Sequence, residues 1–268
     1  MSLTLTVLGT SGSYPGAGRA CSGYLIQGGD ATVWLDAGSG SMANLQEHID
    51  LTDIDAVVIS HEHPDHCSDL SGLEVACAFG PGPDRIAVYA PESVKERLYR
   101  FVKSAIDWHH IADGSEITIG GQAWSFSRTD HGPETLAARV EVDGVALGYT
   151  SDTGPGWSAV ALGRVDTLLS EATFQDVDAE AAAAEAPASG VPASGVPASG
   201  VPASGVGHLS ARQAGQMAKE CGVSRLILTH IWPTQDRELS RSQAEEAFGS
   251  GVEVAEAHDL FVIGEENS

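Results

Sequence analysis

Apolar positions along this chain come in short runs broken by glycine and polar turns. Residues 3–9 (LTLTVLG), 23–27 and 31–36 (ATVWLD) show alternation or β-branched enrichment, which predicts strands. Residues 41–49 read as a helix, and 55–60 (DAVVIS) as a strand buried on both faces. A short strand at 86–90 leads into PESVKERLYRFVKSA, whose Pro91 and charge pattern suit the start of a helix over 92–106. Residues 115–128, 136–142 and 145–150 read as hairpin strands, with an Asp-Gly turn inside EVDGVAL. Residues 165–170 and 224–229 (SRLILT) are again apolar strands. Helices are expected at 210–221 and 240–248, and a last strand pair near 252–263. Strands first in hairpins and later alternating with helices predict two mixed sheets with helices outside, an α/β (α+β) class.

One segment breaks this rhythm. Residues 187–206 are four tandem copies of PASGV, preceded by AEAAAAEA. A five-residue period has no hydrophobic face to stack, and proline, serine and glycine oppose both helix and sheet. The chain therefore reads as one domain over 1–268 carrying a flexible low-complexity loop at about 179–206.

Composition narrows the classes of function. The 268 residues suffice for a substantial core, and 42% of them are hydrophobic, a globular value. No apolar run reaches about 18 residues, and the N-terminus lacks a basic region followed by an apolar core, so neither membrane span nor signal peptide is expected. Cys21, Cys67, Cys77 and Cys221 lack CxxC spacing and suit mostly buried thiols in a reducing cytoplasm better than a disulfide framework. The net charge of −23, from 14 basic against 37 acidic residues, disfavours a long polyanion as the main partner.

The chemistry concentrates in SHEHPDH, at the end of the 55–60 strand. His61, His63, Asp65 and His66 form an H-x-H-x-D-H pattern whose imidazoles and carboxylate suit zinc, and also iron or manganese. Four such groups exceed what a single tetrahedral ion takes from one loop. They fit two neighbouring ions, His61 and His63 serving one, Asp65 and His66 the other.

H-x-H-x-D-H after an apolar strand resembles the signature of the metallo-β-lactamase-fold hydrolases, and the rest of the chain follows that family in order. TDHGPETLAARVEVDG offers His131, LGYTSDTGPG offers Asp152, and LILTHIWP offers His230. The resemblance implies a four-layer αββα sandwich with a dinuclear site along one edge. It also implies His61, His63 and His131 for one Zn2+, and Asp65, His66 and His230 for a second, with Asp152 bridging. Mn2+ or Fe2+ would suit the same ligands.

Three further segments resemble the ribonuclease Z-like phosphodiesterase branch. They are VLGTSGSYPGAGRACSGYLI, LLSEATF with Glu171, and GHLSARQAG with His208. The resemblance implies that His208 faces a scissile phosphate and that Glu171 holds it. Such a pair is a sensible proton donor to a departing alkoxide. It implies Asp65, His208 and Glu171 as catalytic residues, acting while a hydroxide bridging both ions attacks phosphorus in line.

Ribonuclease Z proper carries a long tRNA-gripping arm between its third histidine and its bridging aspartate. Here twenty positions separate His131 from Asp152, room for two strands and a turn. Over nearly its full length the chain is similar to actinobacterial metallo-hydrolases described as atypical cyclic-nucleotide phosphodiesterases, sharing VYAPESVKERL-like and LTHIWP-like segments. That likeness implies a small phosphodiester substrate such as cAMP. The alternatives are tRNA 3′-processing, hydrolysis of other esters such as sulfate esters or lactones, and a non-catalytic metal-binding module. Family relatives are often dimers, so a homodimer is an expectation.

Three features stay open at this level. Trp108, His109 and His110 either line the pocket, Trp108 stacking on a base, or staple a helix end at the surface. Ser11, Ser13 and Tyr14 lie in a Gly-rich loop whose amides could approach a phosphate. Cys67, beside His66, reads as structural because the ligand set is complete without it.

Overall fold

The computed structural model describes residues 2–98, 105–176, 207–249 and 251–264; the PASGV repeats lie outside the described residues. Strands β1 (Thr4–Gly9), β2 (Gly23–Gly28) and β3 (Ala31–Ala37) pair antiparallel. To β3 are added, in parallel, β4 (Ala56–Val58), β5 (Ile86–Ala90) and β6 (Ile106–His110). The second sheet repeats that plan. Strands β7 (Glu116–Ile119), β8 (Gln122–Arg128), β9 (Leu136–Val142) and β10 (Val145–Tyr149) pair antiparallel. Then β11 (Thr167–Glu171), β12 (Arg225–Thr229) and β13 (Val252–Val254) run parallel to β10. The final strand, β14 (Leu260–Val262), returns to the free edge of β1.

Helices cover the outer faces. On the first sheet lie α1 (Ser41–Leu45), α2 (Pro64–Cys67), α3 (Leu70–Phe79) and α4 (Glu92–Leu98). On the second lie α5 (Ala211–Cys221) and α6 (Arg237–Phe248). A Cβ at Gly215 of α5 would clash with the Ala244 carbonyl of α6, so the close approach of these helices requires glycine there. The result is a four-layer αββα sandwich.

The central strands read as continuous apolar runs because both of their faces are buried. Leu5, Val7, Tyr24, Ile26, Val33, Leu35 and Val58 point between the sheets, meeting Trp124, Leu147, Tyr149, Leu169 and Ile227. Their neighbours Leu8, Leu25, Trp34, Val57 and Ile59 point the other way, under Leu45, Leu70, Leu73 and Val94 of the helices. Each fully buried Leu, Val or Ile contributes about 1.5–3 kcal/mol relative to exposure. Covering both faces stabilises the sheets and leaves the strand ends as the place for polar chemistry.

Several boundaries differ from the sequence reading. Alpha-helix ends at Leu45 rather than 49, the chain continuing in turns. The last long helix starts at Arg237 rather than 240, because the Asp236 carboxylate caps it by accepting from the amides of Glu238 and Leu239. Helices α2 and α3 were not anticipated; the local signal was Pro64, which preorganises a first helical turn. The helix after Pro91 is described only to Leu98, and residues 106–110 are edge strand β6 instead of a helix end. Trp108 consequently packs on the outer apolar layer, and His109 stacks on Tyr89 with ring centroids 4.7 Å apart. The pocket-lining alternative for Trp108 is set aside on that geometry, and so is the helix staple.

Candidate metal centre

The polar cluster sits beyond the C-terminal ends of the strands. Asp36 is the penultimate residue of β3, His61 and His63 follow β4, and Asp65 and His66 lie on the first turn of α2. His131 follows β8, Asp152 follows β10, Glu171 is the last residue of β11, and His230 follows β12. The buried strands end together, so residues from distant parts of the chain converge.

Two groups form. The ligand-type atoms of His61, His63, His131 and Asp152 lie within 4.8 Å of one another, as do those of Asp65, His66, Asp152 and His230. Asp152 belongs to both and turns one oxygen to each. Its Oδ2 is 3.5 Å from His61 Nε2 and 3.7 Å from His131 Nε2. Its Oδ1 is 3.2 Å from His66 Nε2 and 3.3 Å from His230 Nε2. These are the groupings that the resemblance implied.

The hydrogen bonds around the cluster choose the tautomers. Ser60 Oγ donates to Asp36 Oδ2 and is therefore free to accept from His61 Nδ1, 3.0 Å away. His131 Nδ1 donates to the Gly207 carbonyl at 2.8 Å. His66 Nδ1 donates to Asp36 Oδ2 at 2.8 Å. Thr173 Oγ1 donates to Glu171 Oε2 and accepts from His230 Nδ1 at 2.8 Å. In each neutral ring the proton is thus held outward on Nδ1, and the Nε2 lone pair faces the cluster. His63 Nδ1 lies 3.0 Å from His61 Nε2 and 3.1 Å from His131 Nε2, completing a convergence of three ring nitrogens.

This arrangement fits divalent cations. Buried lone pairs aimed at one another without a donor between them are costly unless a cation fills the space. His66 Nε2 and Asp152 Oδ1 are buried and lie 3.2 Å apart without meeting hydrogen-bond geometry to each other or to any other group. Burial works against charge on His66, yet Asp152, Asp65 and Asp36 push its pKa well above the usual value. Burial and the neighbouring His66 lower His61 to about 4, so that ring is neutral at pH 7. Burial disfavours charge on Asp65 and Asp152 too, but the histidines around them hold both carboxyls below the usual range. The surroundings are ordered for two concentrations of positive charge.

Glu171 and His208 form a third group beside the second. Glu171 Oε1 is 3.1 Å from His208 Nδ1, and His208 Nδ1 is 4.0 Å from Asp152 Oδ2. Glu171 also accepts from the amides of Thr153 and Leu209, which fixes its carboxylate. His208 precedes α5, whose start is set by a capping box between Ser210 and Gln213. Burial works against charge on His208, but Glu171 beside it raises the imidazole pKa to about 9.

The N-terminal Gly-rich loop closes the second group. The Ser13 amide donates to Asp65 Oδ2 at 2.7 Å, and Ser11 bridges to Ile231, next to His230. A Cβ at Gly12 would meet the His230 carbonyl oxygen at 2.6 Å, so the loop approaches by lacking a side chain. Tyr14 is exposed at its tip. Cys67 faces the Glu62 carbonyl and belongs to neither group. The residues missed from sequence are Asp36, Ser60, Thr153 and Thr173. The only local signal was an aspartate ending an apolar strand in VWLDAG.

Residues 31–231 match the family model described as the β-lactamase superfamily domain. The probable metallo-hydrolase YhfI of Bacillus subtilis is 27% identical over 262 residues, spanning 95% of this chain and 98% of its own. The crystal structure of that metallo-β-lactamase fold protein superposes with a TM-score of 0.82 at 25% identity, over 97% of this chain and 98% of that one. An uncharacterized protein of Mycobacterium tuberculosis, Rv1339, is 30% identical over 278 residues, spanning 98% of this chain and 93% of its own. A ribonuclease Z of Salinispora arenicola is 28% identical over 298 residues, spanning 97% and 95%.

Proposed function

The chain belongs to the metallo-β-lactamase superfamily, and on that premise we propose that it is a dinuclear-metal-dependent phosphodiesterase of small, chiefly cyclic, nucleotides such as cAMP. The observation that carries the reading is the Glu171–His208 pair seated against a cluster in two halves. His61, His63, His131 and Asp152 would hold one divalent cation, and Asp65, His66, His230 and Asp152 the other. Such ions, Zn2+ or its relatives, would supply Lewis-acid stabilisation of phosphoryl charge and lower the pKa of water.

The chain's own residues do the rest. Asp36, Ser60, Gly207 and Thr173 hold ring protons outward and keep the inward lone pairs available. The Ser13 amide fixes the orientation of Asp65. His208 bonds Glu171 through Nδ1, so the proton it gives to the departing oxygen is the one on Nε2. Its pKa of about 9 keeps that proton in place at neutral pH.

A small substrate is supported by what lies beside the cluster. The twenty positions between His131 and Asp152 are taken up chiefly by β9, β10 and their Asp143-Gly144 turn, which leaves no room there for a tRNA-gripping arm. The net charge of −23 also disfavours a polyanion. The likeness to ribonuclease Z keeps tRNA 3′-processing as the second reading. Purified protein assayed side by side on 2′,3′- and 3′,5′-cyclic nucleotides, bis-p-nitrophenyl phosphate and a precursor tRNA decides between them. We expect turnover of the cyclic nucleotides well above that of precursor tRNA. Faster tRNA cleavage would reverse the order, and no turnover of any phosphodiester would sink the reading.

A further inference from the structure

Beside the cluster stands an aromatic side chain that the chemistry above does not use. Trp232 follows His230 by two residues and is only partly buried. Its Nε1–H donates to Ser13 Oγ at 2.9 Å, and the amide of the same Ser13 donates to Asp65 Oδ2. One residue therefore ties the indole to the second half of the cluster. Phe174 packs edge-on against Trp232 with centroids 5.1 Å apart, and edge-on against His208 at 5.9 Å. The indole is thus held by Ser13, whose amide reaches Asp65, and by Phe174, which also packs on His208.

Fixing a large ring so firmly at a partly open position limits what it can do. The two contacts remove the freedom of the indole in advance, which favours a ligand that needs a rigid flat surface. Every nucleobase offers a π-face, and stacking on an aromatic side chain needs no sequence-specific donor pattern.

We propose that Trp232 is a specificity-determining residue that stacks on the nucleobase of a substrate whose phosphate lies at the cluster. This rests on the phosphodiesterase reading and narrows its substrate class to nucleotides. Phe174 acts as the backing of that platform.

The test uses metal-loaded protein and two product-like probes, AMP and ribose 5-phosphate, with affinities measured by calorimetry. Wild type is expected to bind AMP more tightly than ribose 5-phosphate. Trp232→Ala should weaken AMP by roughly 5- to 150-fold, the range for loss of one base stack, and leave ribose 5-phosphate unchanged. Trp232→Phe keeps a ring but loses the bond to Ser13, and should retain most of the AMP affinity. Metal content and melting temperature, measured on each variant, show that the cluster and fold persist. Equal weakening of both probes, or loss in Trp232→Phe equal to that in Trp232→Ala, would make the residue a support for Ser13 and Asp65 and overturn the proposal. Equal affinity of wild type for the two probes would overturn it as well. Failure of the phosphodiesterase reading shows separately, as absent hydrolysis of bis-p-nitrophenyl phosphate by wild type.

Discussion

Asp36 Oδ2 lies 2.8 Å from Nδ1 of His66, both residues fully buried, and the same oxygen accepts from Tyr149 and Ser60. Asp36 reaches that position through a left-handed backbone conformation, φ 55°, at the end of β3. Asp36→Asn offers an amide donor or a weaker acceptor to His66 Nδ1, and so loosens both ring orientation and tautomer. Affinity for the metal of the second group should fall about 10- to 100-fold, read by competition with a chelating dye. Unchanged affinity would mean that packing alone orients His66.

Removing the proposed proton donor should leave the cluster standing. His208→Ala should lower kcat by about 10²- to 10⁴-fold with metal content unchanged, the range for a lost general acid. Loss of bound metal in that variant would instead place His208 among the ligands.

The pH profile follows from the raised pKa of His208. Its acid form predominates below about 9, so the rate should fall as pH rises through the alkaline limb. Divalent cations nearby favour the neutral ring, which puts the limb of the loaded enzyme at or below that value. Glu171→Gln removes the partner that raises the pKa, so the limb should move to lower pH. For stability the sign is the same: the Glu171–His208 contribution is fully present below about 6.5 and lost as pH rises to about 9. An alkaline limb that stays in place in Glu171→Gln would assign it to another group.

Stripping the metal should stop hydrolysis and loosen the fold. Dialysis against a chelator leaves Asp65, Asp152 and the inward ring nitrogens without a cation between them, so the melting temperature should drop and recover when Zn2+ or Mn2+ is restored. Asp152→Ala removes the one carboxylate common to both groups and should reduce turnover to background with the sheets intact by circular dichroism. Full activity after exhaustive chelation would sink the mechanism.

Deleting the four PASGV copies, residues 187–206, is expected to leave kcat/KM within about twofold, since proline, alanine, serine, glycine and valine supply no metal ligand or proton donor of the kind the reaction needs. The deletion must stop short of Gly207, whose carbonyl holds His131. A loss beyond tenfold would give the repeat a part in turnover.

Much of this architecture was legible in the residues. Strands buried on both faces show as local β-branched runs, so most sheet elements, β4 and β12 among them, could be placed without a structure. The tight H-x-H-x-D-H spacing marked four ligand-type side chains at one strand end, and the structure brings them together with His131, Asp152 and His230. Short or irregular elements were not legible. Helices α2 and α3 carry weak periodicity, and edge strand β6 was mistaken for a helix end, since an edge strand lacks the two buried faces that make the others conspicuous.

The chain alone determined the donor types and the strand ends that carry them, because those depend on neighbours in sequence. Only the tertiary structure decided that one oxygen of Asp152 faces each half of the cluster. The same holds for the outward partners of His66, His61, His131 and His230, namely Asp36, Ser60, Gly207 and Thr173. It also moved the aromatic candidate from Trp108 to Trp232. Apart from the neighbours Ser60 and His61, these are relations across tens of residues or more, fixed by how two twisted sheets pack their ends together, and no local pattern encodes them.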